Sequence, residues 1–157
     1  MLPAHAATVA SWVTTRDEMF WLSPRSAPPI TAETIRLNWA RPGHEQLSLV
    51  DEAGAQLAYG ELNILDQQRA EYWLGHLIVD PRRRGQGLGK RLTLALLRRA
   101  EHIYAARRVC LVVFPENVAA VACYRAAGFR DEAYEPHEFP AYDERALMLR
   151  MDVRFGE

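Results

Sequence analysis

The most constraining stretch of this chain is the change of apolar period between Tyr72 and Ala106, across a turn rich in arginine and glycine. Tyr72 to Val79 reads as a strand that ends at Asp80-Pro81, where proline removes a ladder donor and turns the chain out of the sheet. From Gly87 onward, Leu88, Leu92, Ala95, Leu96 and Ile103 recur at helical steps and predict a long helix to about Ala106, with Leu94 and Leu97 widening its apolar face. Val109 to Phe114 is a short, valine-rich apolar run stopped by Pro115, the pattern of a strand buried on both sides. Asn117 then caps another helix through Ala127, which Gly128 terminates.

The flanking segments complete an α/β pattern. Val9, Trp12, Val13 and Phe20 predict a first helix over about Ala4 to Phe20, broken by Ser23-Pro24 and Pro28-Pro29. Thr31 caps a short second helix carrying Ile35 and Trp39 on one face, which Pro42-Gly43 ends. Leu47 to Val50 and Leu57 to Ile64 flank a turn at Asp51 to Gly54 and read as an antiparallel hairpin. Phe129 to Tyr134 and Leu147 to Val153 predict two more strands, joined by a polar loop holding Pro136 and Pro140. No repeat, low-complexity segment or linker divides the chain, so residues 1–157 are expected to form a single domain.

Composition narrows the function classes. A hydrophobic share of 49% supports an ordinary core, and a net charge of -1 argues against a surface that is basic throughout. Cys110 and Cys123 form neither a disulfide framework nor a short-spaced metal or redox pair, which fits a reducing, cytoplasmic compartment. The amino terminus lacks the basic start and long apolar core of a secretory signal. No run approaches the roughly 20 apolar residues of a membrane span. The expectation is a soluble protein with no membrane or nucleic-acid partner and no metal.

The turn Arg84-Gly85-Gln86-Gly87-Leu88-Gly89 joins a strand to a long helix, so its amides converge at the positive end of the helix. Glycines let backbone approach a phosphate closely, and Arg82, Arg83 and Arg84 add positive charge, so a pyrophosphate is the expected guest. Two rival phosphate motifs fail on identity. A Walker loop ending at Gly89-Lys90 needs glycine where Arg84 stands and a hydroxyl residue where Arg91 stands, and a dinucleotide fingerprint from Gly85 needs glycine at Lys90. The plain structural reading is a tight turn and nothing more.

Arg84-x-x-Gly87-x-Gly89 resembles the Arg/Gln-x-x-Gly-x-Gly/Ala signature of the GNAT superfamily of acetyl-CoA-dependent N-acetyltransferases, preceded by Leu77-Ile78-Val79-Asp80-Pro81 where that family's fourth strand enters the turn. Asn117-x-x-Ala120-x-x-x-Tyr124-x-x-x-Gly128-Phe129 resembles the family's other cofactor-binding element, at the usual separation. The resemblance covers roughly residues 72 to 130. It implies a central mixed, mostly antiparallel sheet splayed between two strands and flanked by about four helices. It also implies direct acetyl transfer from acetyl-CoA, as cosubstrate, to a primary amine in a ternary complex. Leu77 and Val79 would meet the pantetheine arm, the turn from Arg84 to Gly89 the pyrophosphate, and Asn117 and Tyr124 the same groove, with Tyr124 as the acid that protonates the departing thiolate. Asn117 and Tyr124 are seven residues apart, about two helical turns, and so share a face. The family usually opens with a strand, which here is absent or very short, and homodimers are common in it.

An alkylamine arrives protonated and needs a base or a water chain. Glu61, Glu71 and His76 all lie on predicted strands near the acceptor side. Strand alternation places Glu71 on the side of Leu77 and His76 on the other, which ranks Glu71 first. Aromatics such as Trp21 and Trp39, with acids such as Glu135 and Glu138, suit a cationic or partly apolar acceptor. Two other readings compete: a CoA-sensing module without turnover, which has no need of Tyr124, and a nucleic-acid binder using Arg82 to Arg84, Arg91, Arg98 and Arg99, which near-neutral charge disfavours.

Overall fold

A computed structural model of the chain describes residues 3–39 and 41–156. Strands β1 (His44–Val50), β2 (Gln56–Asp66), β3 (Glu71–Val79), β4 (Arg108–Val113), β5 (Arg130–Phe139) and β6 (Glu144–Arg154) form one sheet in the order β1-β2-β3-β4-β6-β5. All neighbours run antiparallel except β3 and β4, and these two pair only from Glu71 to Trp73 against Arg108 to Cys110. Beyond Trp73 the two strands part company. The mixed, splayed α/β sheet expected from the sequence is therefore present.

Among the described residues five α-helices flank the sheet: α1 (Pro3–Ser11), α2 (Arg16–Leu22), α3 (Ala32–Thr34, continued by a π-helical turn over Ile35–Trp39), α4 (Leu88–Tyr104) and α5 (Val118–Ala126). The single first helix expected over Ala4 to Phe20 is thus two. Thr15 breaks it: its hydroxyl accepts from the Glu18 amide at 3.2 Å while the Glu18 carboxylate accepts from the Thr15 amide at 3.1 Å, a reciprocal cap that starts α2 afresh. Among the described residues no strand precedes α1.

Each face of the sheet has its own core. Leu92, Leu96, Leu97 and Ala100 of α4 pack with Ala58, Leu62, Tyr72 and Leu74 on one face, each buried leucine contributing about 1.5–3 kcal/mol. Gly60 permits this contact, since a Cβ there would lie 3.1 Å from Leu96 Cδ1 and 3.2 Å from Leu92 Cδ2. Val9 and Trp12 of the α1 region, with Ile35 and Trp39, pack against Tyr59 and Ile78 on the opposite face.

Tyr72 and Leu74 join the core under α4, yet Ile78, which simple alternation would put beside them, joins the other core. A bulge explains the switch: the register shifts between the Glu61↔Gly75 and Tyr59↔Ile78 pairs, and His76 has φ +49. The alternation argument therefore fails on β3, because the chain inverts its faces between Leu74 and Leu77. His76 is delivered to the face of Tyr59 and Trp39, and Leu77 and Val79 to that of α4.

A second correction concerns Pro136. It lies inside β5, opposite Leu147, instead of in a loop, and the connection shrinks to the 3-10 turn Pro140–Tyr142 and Asp143. β5 is an edge strand, the position in a sheet where proline is tolerated.

Candidate active site

Where β3 and β4 diverge, two clefts open and meet. The first has a volume of about 760 Å³ and runs along the turn into α4, lined by Val79, Arg83, Arg84, Gly85, Gly87 and Gly89. The second, about 490 Å³, lies over the other core and is lined by Ser23, Trp39, Glu61, His76, Phe114 and Phe139 among others. Trp21, Leu22, Leu77, Asn117, Ala120 and Tyr124 line both. A molecule in either cleft thus meets the other at Leu77 and Tyr124.

The first cleft is built for a phosphate. Gly85 and Gly87 both have φ +75, where a side chain is strained, and nothing lies within 4 Å of a Cβ built on either, so the cradle is open. Gly87 caps α4 without any side chain taking up the free amides of its first turn. Gly89 lets α4 approach α5, since its Cβ would lie 3.2 Å from Cys123 Sγ. Of the three arginines before the turn, Arg82 is committed to the buried Asp80 through Nε at 3.1 Å and Nη2 at 2.8 Å, which holds the Asp80 carboxyl below the usual carboxylate range. Arg83 and Arg84 face the cleft.

The strand edge beside this cleft is unpaired. The amide of Asp80 donates to Leu57 O at 2.9 Å across β2, so by alternation that of Val79 points into the gap that β4 leaves. Asn117 Oδ1 accepts from the Ala120 amide at 3.3 Å and fixes the start of α5, and Tyr124 follows two turns later on the same face. Burial pushes the Tyr124 phenol upward, so it keeps its proton. Arg84, Gly85, Gly87, Leu88 and Gly89 of the turn line one groove with Leu77, Val79, Asn117 and Tyr124, while Gln86 of the same turn does not line it. This donor set and open cradle fit a pyrophosphate with an extended amide-bearing arm.

The base candidates are sorted differently from the sequence ranking. Glu71 sits at the closed end of the sheet, 3.6 Å from Arg108, which also meets Glu132 at 2.5 Å and Asp152 at 2.9 Å. It lines neither cleft. Glu61, 1% exposed, lies at the floor of the second cleft, where Oε1 accepts from Tyr59 Oη at 2.5 Å and Oε2 stands 2.8 Å from His76 Nδ1. The ring of His76 stacks on Trp39, 3.9 Å between centroids and 4° from parallel, and its Nε2 is 3.0 Å from Ser23 Oγ. A carboxylate only accepts, so His76 Nδ1 carries the hydrogen of that contact, and in the neutral ring Nε2 is then the acceptor, facing Ser23. Ser23 and Tyr59 had no local signal, because their partners are far away in the chain or on a bulged strand.

Two of the arginines of a nucleic-acid reading are committed to carboxylates. Arg99 is bound to Glu45, with Nη2 to Oε1 at 2.8 Å, and Arg82 to Asp80. Among the described residues no group of histidine, cysteine and carboxylate side chains is placed to hold a metal, and no helix is long and apolar enough to cross a membrane.

The family model described as acetyltransferase (GNAT) family matches residues 12–129, which include the glycine turn, both clefts' shared residues and the bulged strand. The chain belongs to the GNAT acetyltransferase family. Among curated relatives, the spermine/spermidine N(1)-acetyltransferase of Bacillus subtilis is 32% identical over 65 residues, 41% of this chain and 43% of that protein, so the match spans less than half of the relative's length. An uncharacterized protein of Mycobacterium leprae is 33% identical over 84 residues, 54% of this chain and 22% of that one. The structure of spermidine N-acetyltransferase from Vibrio cholerae in complex with CoA and spermine superposes with a TM-score of 0.81 at 18% identity, covering 98% of this chain and 92% of the other. That likeness establishes that the GNAT fold extends over nearly the whole chain.

Proposed function

We propose that this GNAT protein transfers the acetyl group of acetyl-CoA to a primary amine by direct attack, with both substrates bound together. The observation that carries the reading is the meeting of the two clefts at Leu77 and Tyr124, in the gap where β3 and β4 separate. Acetyl-CoA supplies an activated thioester, and the chain supplies everything else.

The amides of the turn and of α4 hold the pyrophosphate, and the free edge of β3 pairs with the pantetheine arm. His76 Nε2, directly or through the Ser23 hydroxyl 3.0 Å away, takes the proton of the acceptor ammonium, and Glu61 keeps the ring in the tautomer that can accept it. The freed nitrogen forms its bond to the carbonyl carbon while the Val79 amide faces the carbonyl oxygen and stabilises the charge gathering there. The C–S bond breaks, Tyr124 gives its proton to the departing sulfur, and the second proton that the nitrogen sheds as the amide forms passes through water to restore the Tyr124 phenol. The products are an N-acetyl amide and the free CoA thiol.

The relatives act on spermine and spermidine by name, which places polyamines in the first panel of acceptors. The test is incubation with acetyl-CoA and a panel of polyamines, amino acids and simple amines, following free thiol and the acetylated product by mass spectrometry. Product formation in step with thiol supports the reading. Tight CoA binding by calorimetry with no acetylated product from any amine points instead to a CoA-sensing module.

A further inference from the structure

We propose that the second cleft accepts an amine that also bears an anionic group, a carboxylate or a phosphate, and that Arg25 and Arg41 hold that group. The proposal rests on the acetyl-transfer reading and specifies its acceptor.

The argument is one of charge. Glu61 is the one carboxylate among the described residues that line this cleft, and it is buried with both oxygens engaged, by Tyr59 and by His76. Buried and already bonded through each oxygen, it is poorly placed to hold a second ammonium group. Arg25 and Arg41 line the same cleft, are exposed, and have no carboxylate partner among the described residues. Each is nonetheless positioned. Arg25 Nη2 is 3.3 Å from His137 Nδ1 and its guanidinium lies 5.9 Å from the centre of the Phe139 ring, while Arg41 Nε donates to the Asn38 carbonyl at 3.0 Å. Those contacts use one donor of each guanidinium and leave the rest of the planar fork free, the geometry that carboxylates and phosphates match.

A polyamine is poorly served by such a site. Its reacting nitrogen would reach His76, but every further ammonium would enter a cleft whose unpaired charges are positive and whose only carboxylate is taken. An amine carrying an anion reverses the sign of that interaction and gains charge-assisted hydrogen bonds. The aromatic rings of Trp21, Trp39 and Phe114 in the same lining suit an apolar or aromatic body.

The experiment compares matched acceptors with the wild-type protein: phenylalanine against phenethylamine, phosphoethanolamine against ethanolamine, and spermidine and spermine beside them. The expected result is that the anionic member of at least one pair exceeds its neutral partner in kcat/KM by about tenfold or more, and that R25Q/R41Q abolishes the difference. The two pairs separate carboxylate from phosphate. CoA affinity by calorimetry, which reads the other cleft, reports whether the double variant is folded. Polyamines preferred, equal rates within both pairs, or a preference that survives R25Q/R41Q overturns this proposal and leaves acetyl transfer standing. No turnover of any amine with CoA bound overturns both.

Discussion

The Oε2 atom of Glu61 lies 2.8 Å from Nδ1 of His76, across a β-bulge that turns His76 to the face opposite Leu77 and Leu74. That contact turns a buried acid and a strand histidine into a pair whose other ring nitrogen faces Ser23 in the second cleft. Replacing His76 with asparagine is expected to lower kcat/KM for the amine by about a hundredfold while leaving the KM for acetyl-CoA near wild type. Glu61→Gln is expected to lower kcat less, and the double variant to be no worse than H76N alone, because Glu61 works through His76. Steady-state kinetics of the cycle check this, and additive losses would show that the two act separately.

Glu71, in contrast, is tied to Arg108 at the closed end of the sheet. Glu71→Gln is expected to keep kcat within about twofold of wild type, since Glu71 lines neither cleft and touches no reacting group. Arg108→Met leaves Glu71, Glu132 and Asp152 facing one another without their shared cation, and is expected to cost about 3 kcal/mol in urea unfolding.

Gly87 has φ +75 at the first turn of α4. Gly87→Ala places a Cβ in the left-handed region at a cost of about 1–2 kcal/mol. The expected result is a rise of about tenfold in the calorimetric dissociation constant for CoA, with little change in amine KM once acetyl-CoA is saturating.

Glu45 joins β1 to α4 through Arg99 and Tyr104, and the Arg99 hydrogen bonds hold its carboxyl below the ordinary range. A carboxyl depressed in the folded state stabilises the fold above its unfolded pKa of about 4 and loses that contribution as pH falls through the lower, folded value. Glu45→Gln is therefore expected to cost about 1 kcal/mol at neutral pH, discounted because the pair is partly exposed. The gap between variant and wild type in urea unfolding should close as pH falls below about 4.

The parts of the site that the sequence revealed are those written locally. Gly85, Gly87 and Gly89 must stand where a turn has positive φ or close helix packing, and Asn117 and Tyr124 share a helix face by spacing alone. Residues joined across distance left no such trace. Ser23 meets His76 from a loop 53 positions away, and nothing in the strand pattern marks the bulge that lets Glu61 reach the same ring. Ranking Glu71 over His76 followed from an unbroken alternation that β3 does not keep. Pro136 likewise signalled a loop, because an edge strand that tolerates proline is a property of the sheet order and not of the local sequence.

The most direct test of the central claim is thiol release from acetyl-CoA by the wild-type protein and by Tyr124→Phe, each with the best acceptor of the panel, with CoA affinity measured on the same samples. Tyr124 lines both clefts and keeps its proton, so its loss is expected to cut kcat by about a hundredfold and leave CoA affinity unchanged. Equal turnover by the two proteins would contradict the role given to Tyr124, and absence of CoA binding by the wild type would contradict the assignment of the cleft itself.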